Sequence, residues 1–554
     1  MKSIHHILKD KTITVVEWLL IAGFSIFPTF LNFPYRINIF LSWEGAYRLY
    51  LGEVPYRDFG LPMGFGYWLI PAAFFKIFGP YMLSLIKAQA FINILSALAF
   101  RSILRSLNVK PGIRLLSILL FLISFSFVNF WPWYNHTVIV FELIAIAFLL
   151  RYIFSHGRVK WVYLFFSALF VFLSIFTKQD AGAFALLTAL SLIICHAIYE
   201  KKIWPALWFI GFLALIAVCI ITPFVPYHIG YWFNYGQAPH SSRLSVYDIM
   251  DIFFGKSDWI KFYLIIIALI WVYRFREGRK AFADKKFVLF SVLVSAILFE
   301  ASIFQVTSYI PEYNNIFFHS FAIAYIASTS GIAEKIHFKK PFPLILTALL
   351  IMLWWSSRTW QYANRYIARI FPNAEKVDSS VVSIRTYLLN TNDKDTADAK
   401  NHDLSKWSFS PWRPFKGIYM PDATISGVKR LLNRPEVTHN GENLKMLNMT
   451  ELTPLAEIIK YPLETGTNIP LWYHKDVAMF EKQIQGYDQK IRQGYYDIVL
   501  YEYVPILNNF YPFEIRDSLE KYYRKVDSFP GPRRNDYSLI EVYTKKANTD
   551  EENR

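Results

Sequence analysis

The chain has 554 residues, of which 54% are hydrophobic, 18% aromatic and 18% charged, with a net charge of +16. This composition excludes an ordinary soluble enzyme of the same length, and the apolar residues gather into long runs that mark a multi-pass membrane protein. The basic excess invites a nucleic-acid partner, but membrane orientation is the simpler cause, so no nucleic acid is expected.

In chain order, candidate spans fall at about 14–32, 83–104, 114–131, 134–150, 160–177, 181–199, 203–225, 260–274, 286–309, 314–332 and 341–359. Each approaches the length of about 20 residues that crosses the hydrocarbon core as a helix, and about eleven crossings result. The start MKSIHHILKDK is basic and lacks a small-residue cleavage site, so the first run is expected to stay as a span.

With the N-terminus inside, RSILRSLNVKPGIR, RYIFSHGRVK, EKK, RFREGRKAFADKK and EKIHFKK all become cytoplasmic loops rich in Lys and Arg. WPWYNH, TKQD, residues 225–259 and IPEYNN face out. An odd count places everything after Trp360 outside the cytoplasm. The chain therefore divides into a membrane module, 1–360, and an extracytoplasmic domain, 361–554, with the bacterial inner membrane as the expected location.

The tail alternates strand-like runs, YDIVLYEYV and YSLIEVY, with helix-like runs, KDVAMFEKQIQGYDQKIRQG and FEIRDSLEKYYRKV, which predicts a small α/β domain. The stretch LLNTNDKDTADAKNHD reads as a flexible loop. Cys195 and Cys219 both fall in expected spans, so neither a disulfide framework nor a cysteine metal site is expected. No P-loop, dinucleotide fingerprint, HExxH or GxSxG occurs.

Residues 42–68 read SWEGAYRLYLGEVPYRDFGLPMGFGYW and place Glu44, Glu53, Arg57 and Asp58 beside the first span. Short apolar runs at 43–51 and 64–78, punctuated by Gly and Pro, predict two helices lying on the membrane surface. Glu44 and Asp58 are candidates for a general base, a metal ligand or a hydroxyl-binding group; the alternative is a pair of solvated loop charges.

The pattern WEGAYRLYLGEVPYRDFGLPMGFGYWLIPAAFFKIFG resembles the first outer loop of GT-C-type membrane glycosyltransferases, the group that includes protein O-mannosyltransferases and aminoarabinose transferases. The resemblance covers about 40 residues at the level of motif, and the multi-span core with an outer tail also fits. It implies transfer from a polyprenyl-phosphate sugar to a hydroxyl of a glycan, lipid or protein. Glu44 matches the second acid of the family's Asp-Glu pair, with Trp43 where the aspartate would stand, and Asp58 matches the acid of the Y-x-D stretch. NFWPWYNHT has no carboxylate where several members place one, so a tightly bound divalent metal is not expected; His136 is a weak candidate ligand.

In TKQDAGAF, Lys178 is a candidate for the donor phosphate or else a lysine reaching lipid head groups. Arg57, His228 and Arg243 are weaker phosphate candidates. Gln179, Asp180, Glu300, Asn314, Asn315 and His319 are expected to line a substrate cavity, and Glu142 is ambiguous between that and structure. The rival readings are a transporter or flippase of a lipid-linked or polar substrate, and a noncatalytic relative of the same fold. Against a transporter, the halves show no internal repeat and no pair of Gly/Pro-broken spans.

Overall fold

A computed structural model describes residues 8–35, 39–127, 129–237, 246–276, 278, 282–307, 317–331, 335–356, 407–471, 473–505, 510–532 and 538–546. Arg243, Asn314, Asn315 and the stretch 388–403 lie outside them. The described residues form two compact units, one drawn from 1–30, 89–223 and 242–360 and the other from 31–88, 224–241 and 361–554. The segments 31–88 and 224–241 thus belong with the tail rather than with the spans that flank them in sequence.

The first unit is helical, and the protein is a multi-pass membrane protein. Seven helices in the described residues are long and apolar enough to cross a bilayer: Asp10–Phe30, Met82–Ser106, Tyr134–Phe154, Lys160–Thr177, Gln179–Glu200, Trp204–Phe224 and Lys285–Phe304. The other expected spans fall on shorter apolar helices, Pro111–Ser126, Phe317–Thr329 and Pro341–Trp354, and on Asp258–Phe275, which carries charges near both ends. Tyr134–Phe154 is buried almost all round. Trp204–Ile221 instead leaves most of its apolar side chains on the surface, as a helix facing lipid does.

A buried ion triad ties this unit together. Glu17, fully buried on Asp10–Ile26, accepts hydrogen bonds from Arg101 Nε and Arg114 Nε, both at 2.7 Å. Two guanidinium groups on one carboxylate satisfy charges that the hydrocarbon interior would otherwise reject.

The second unit is α/β. Strands β1 (Phe33–Pro34), β2 (Trp407–Phe409) and β3 (Ile418–Pro421) form one sheet in the order β1-β3-β2, with β1 parallel to β3. A second sheet contains β4 (Met446–Met449), β5 (Ile498–Tyr503), β6 (Tyr523–Pro530) and β7 (Leu539–Lys545) in the order β4-β5-β7-β6; β4 and β5 are parallel and the rest antiparallel. Phe480–Arg492 and Phe513–Tyr522 pack Ile484, Tyr487, Ile515 and Leu519 against Val499 and Tyr501 of the sheet, so each element buries one apolar face.

Both strand-like runs are strands, and helix Phe480–Arg492 lies in its expected run. The run FEIRDSLEKYYRKV is helix over its first ten residues, Phe513–Tyr522: the chain then turns at Tyr523, whose ring enters the core while Arg524 and Lys525 pair along β7. The aromatic YY pair suits the pleated edge of a sheet better than another helical turn.

Candidate functional site

The segment 31–88 folds as helices Ile39–Leu51 and Leu69–Phe78 joined by a tight connector. Gly45 allows this pairing, because a Cβ there would strike the Trp68 indole. Trp43 is fully buried, stacks on Tyr47 at 4.4 Å, approaches Phe75 at 6.1 Å, and donates from Nε1 to the Pro80 carbonyl at 3.1 Å. The residue that stands where the resembled motif has an aspartate is therefore a packing residue. Phe40, Glu44 and Arg48, spaced by one turn, line a cavity instead.

That cavity has a volume of about 250 Å³. Its other walls come from β4 and the turn that follows it, from residues 461–473, and from Tyr487, Phe510 and Tyr511. Two anchors hold the helix against the tail: Thr453 Oγ1 donates to the Phe40 carbonyl at 3.4 Å, and the Tyr35 hydroxyl donates to the Glu451 carbonyl. A third link runs through Gly60, whose N–H donates to Ile469 O at 2.9 Å and whose carbonyl accepts from Leu471 N–H at 2.9 Å. A Cβ on Gly60 would enter the Tyr231 ring, so only glycine fits that strand-like bridge.

Glu44 is the carboxylate the cavity leaves most available. Arg48 Nε donates to its Oε1 at 3.0 Å, and among the described residues Oε2 has no hydrogen-bond partner. Burial pushes the Glu44 carboxyl above the ordinary range, with Arg48 partly opposing the shift. Arg48 is itself committed: Nη1 donates to Glu53 Oε2 at 2.7 Å and to the Glu464 carbonyl at 3.1 Å. Glu464, also on the cavity wall, is paired with Lys490 and accepts from the Tyr496 hydroxyl at 2.8 Å.

Asp58 is held differently. Arg57 donates to both of its carboxylate oxygens, at 2.9 and 2.7 Å, and Val54 N–H donates to Oδ2 at 2.7 Å. The Arg57 hydrogen bond holds Asp58 below the usual carboxylate range, against the effect of burial. Asp58 is absent from the cavity lining, while its backbone carbonyl accepts from Gly466 N–H at 2.7 Å. Arg57 also lies over the Tyr227 ring at 5.9 Å, and His228 beside it is exposed. Glu44, on the helix, and Asp58, on the connector after it, thus share a unit but occupy different surroundings.

The remaining candidates lie in the first unit. Lys178 precedes helix Gln179–Glu200, pairs with Asp180 at 3.0 Å and sits over the Phe304 ring at 4.7 Å. Glu142 and Glu300 are buried on Tyr134–Phe154 and Lys285–Thr307; among the described residues their carboxylate oxygens have no hydrogen-bond partner, and Glu300 lies within electrostatic reach of Glu142, Asp180 and Lys178. Lys178, Asp180 and Glu300 are therefore one electrostatic group; Gln179 adjoins it in sequence. His136 and His319 stand apart from it. His136 stacks on Phe125 at 4.5 Å and shares a hydrogen bond with Gln89 at 3.2 Å, and His319 shares one with the Tyr263 hydroxyl at 2.8 Å. Both are fitted to their helices as packing residues. Among the described residues, no three His, Cys, Asp or Glu side chains gather to hold a metal ion.

Sequence reasoning passed over Arg48, although its spacing four residues from Glu44 is the ordinary signature of a helical ion pair. Tyr461, Glu451 and Glu464 carried no comparable signal, since they reach Glu44 only through folding of a segment some 400 positions away.

The fold and this cavity define a multi-pass membrane protein with an α/β unit that carries an acidic, aromatic-lined cavity. Among solved structures, the chain is similar to ArnT from Cupriavidus metallidurans bound to undecaprenyl phosphate, with 12% identity, a TM-score of 0.47, and 96% of this chain and 97% of that chain covered. The apo state of the same protein gives 11% identity, a TM-score of 0.49 and coverage of 96% and 98%. An oligosaccharyltransferase from Archaeoglobus fulgidus, in complex with zinc and sulfate, gives 14% identity, a TM-score of 0.38 and coverage of 64% and 55%. No protein-family model matches the chain, and no curated protein does.

Proposed function

We propose that the chain is a GT-C-type membrane glycosyltransferase that moves a sugar from a polyprenyl-phosphate donor to a hydroxyl acceptor at the extracytoplasmic face of a bacterial inner membrane. The observation that carries this reading is Glu44: a largely buried carboxylate on the cavity wall, one oxygen fixed by Arg48 and the other without a hydrogen-bond partner among the described residues. A base needs a lone pair free to take a proton and an environment that raises its basicity, and Glu44 has both.

In the proposed reaction the acceptor O–H gives its proton to Glu44 Oε2 as the oxygen attacks the anomeric carbon. The bond from that carbon to the phosphate oxygen breaks, and the polyprenyl phosphate leaves with the electron pair. The family resemblance implies inversion. Arg48 orients the base, and Asp58, bonded to Arg57 and to the Val54 N–H, stiffens the connector that follows the helix carrying it. Lys178 is proposed to contact the donor phosphate, a role that requires it to share its charge with Asp180.

The reading is tested by reconstituting the full chain in lipid vesicles with an undecaprenyl-phosphate sugar and following its conversion to undecaprenyl phosphate. Mass analysis of surface glycans from a deletion strain then identifies the sugar and the acceptor. Vesicles that consume no donor across a panel of sugars, together with an unchanged glycan profile, contradict it and favour the noncatalytic alternative.

A further inference from the structure

We propose that the cavity beside Glu44 is a saccharide subsite that takes a pyranose unit bearing hydroxyls or an amine but no phosphate. As the acceptor site it rests on the glycosyltransferase reading; as a sugar site it does not.

The chemistry of the walls sets the ligand class. Three carboxylates, Glu44, Glu451 and Glu464, face one guanidinium, Arg48, in the lining. The cations at these walls are already committed, Arg48 to Glu44, Glu53 and the Glu464 carbonyl, and Lys490 to the Glu464 carboxylate. A phosphate group would meet carboxylates and no uncommitted cation among the described lining residues, whereas hydroxyl and ammonium groups bring the donors that the second Glu44 oxygen can accept from.

The apolar part of the lining mixes six aromatic side chains with seven aliphatic ones. Phe40, Tyr461, Tyr473, Tyr487, Phe510 and Tyr511 supply rings on which the C–H surface of a sugar can pack, while a prenyl or acyl chain entering here would strip the carboxylates of water without replacing their hydrogen bonds. Tyr461 adds a donor: its oxygen accepts a long contact from Asn448 Nδ2 at 3.5 Å, which leaves the phenolic proton available. Burial keeps that phenol protonated, pushing its pKa up. The cavity, about 250 Å³, is of a size for a small ring system rather than an extended glycan.

The test uses the full chain in lipid nanodiscs, free of sugar detergents and without donor. Binding of a methyl hexopyranoside, a methyl 2-amino-2-deoxyhexopyranoside and a hexose 6-phosphate is titrated by saturation-transfer NMR. The first two are expected to bind near about 1 mM, and the phosphate at least about tenfold more weakly. Tyr461→Phe should weaken the better ligand by roughly three- to tenfold, and Phe40→Ala by roughly tenfold, with thermal unfolding of each variant checked in parallel.

Failure of both glycosides to bind wild-type protein overturns the proposal without reference to any variant. So does a phosphorylated sugar that binds as tightly, or wild-type affinity in both variants. Glycoside binding in a protein that never consumes a polyprenyl-phosphate sugar keeps the subsite and removes the glycosyltransferase reading. Donor consumption without glycoside binding does the reverse.

Discussion

Arg48 Nε lies 3.0 Å from Glu44 Oε1, one turn back on the same helix, while Arg48 Nη1 lies 2.7 Å from Glu53 Oε2 just beyond the helix end. One buried guanidinium thus fixes two carboxylates and partly opposes the upward push that burial gives the pKa of each. Removing it leaves both acids without a cation, so Arg48→Leu is expected to destabilise the protein by about 3–5 kcal/mol. Arg48→Lys should recover only part of this, since an ammonium lacks the fork that reaches both acids. Thermal unfolding of the three proteins checks the order wild type, lysine, leucine.

Asp58→Asn is expected to change transfer by less than about tenfold, because this carboxylate is saturated by Arg57 and the Val54 N–H rather than open to an acceptor. The weakened bond to Val54 should cost about 1 kcal/mol. Measured turnover and unfolding together decide the point: a loss as large as that of a base substitution, at unchanged stability, would make Asp58 the base.

Lys178 carries the donor-phosphate proposal. Lys178→Ala should reduce apparent donor affinity by roughly 10- to 150-fold, the range for a charge-assisted contact, and Lys178→Arg should preserve part of it. Equal donor affinity in wild type and the alanine variant would leave Lys178 as a structural partner of Asp180 and Phe304.

Glu17→Ala should leave Arg101 and Arg114 facing one another in the helical unit with no counter-charge. A loss of about 3–5 kcal/mol in stability is expected. A melting temperature within error of wild type would show that the two arginines find water or lipid head groups instead.

How much of this was legible in the sequence depends on the range over which each signal acts. Apolar runs of membrane-crossing length announce their helices locally, and the alternation in YDIVLYEYV and YSLIEVY marks strands without reference to their partners. Glu44 was legible as a candidate through the family motif, yet nothing local separated it from Asp58. The separation comes from the cavity that Glu44 lines and from the Arg57 clamp on Asp58. Trp43 shows the opposite limit, since its substitution for an acid is visible in sequence but its packing between Tyr47 and Phe75 is a tertiary fact. The membership of 31–88 and 224–241 in the α/β unit was hidden for the same reason: β1 pairs with β3 across almost 400 residues.

The central claim is that Glu44 is the general base, and the pH dependence of Glu44→Gln tests it most directly. Burial raises the folded pKa of Glu44 above its unfolded value, so the fold favours the protonated form, and this group's contribution to stability weakens as pH rises through the folded pKa. Catalysis needs the deprotonated form and therefore runs the other way: transfer should fall as pH drops through a limb lying above the ordinary glutamate value of about 4.3. In Glu44→Gln the rate is expected to drop by about 10²- to 10⁴-fold with that limb abolished, while thermal unfolding stays near wild type. Near-normal transfer by a folded Glu44→Gln protein, with the acid limb intact, would contradict the account.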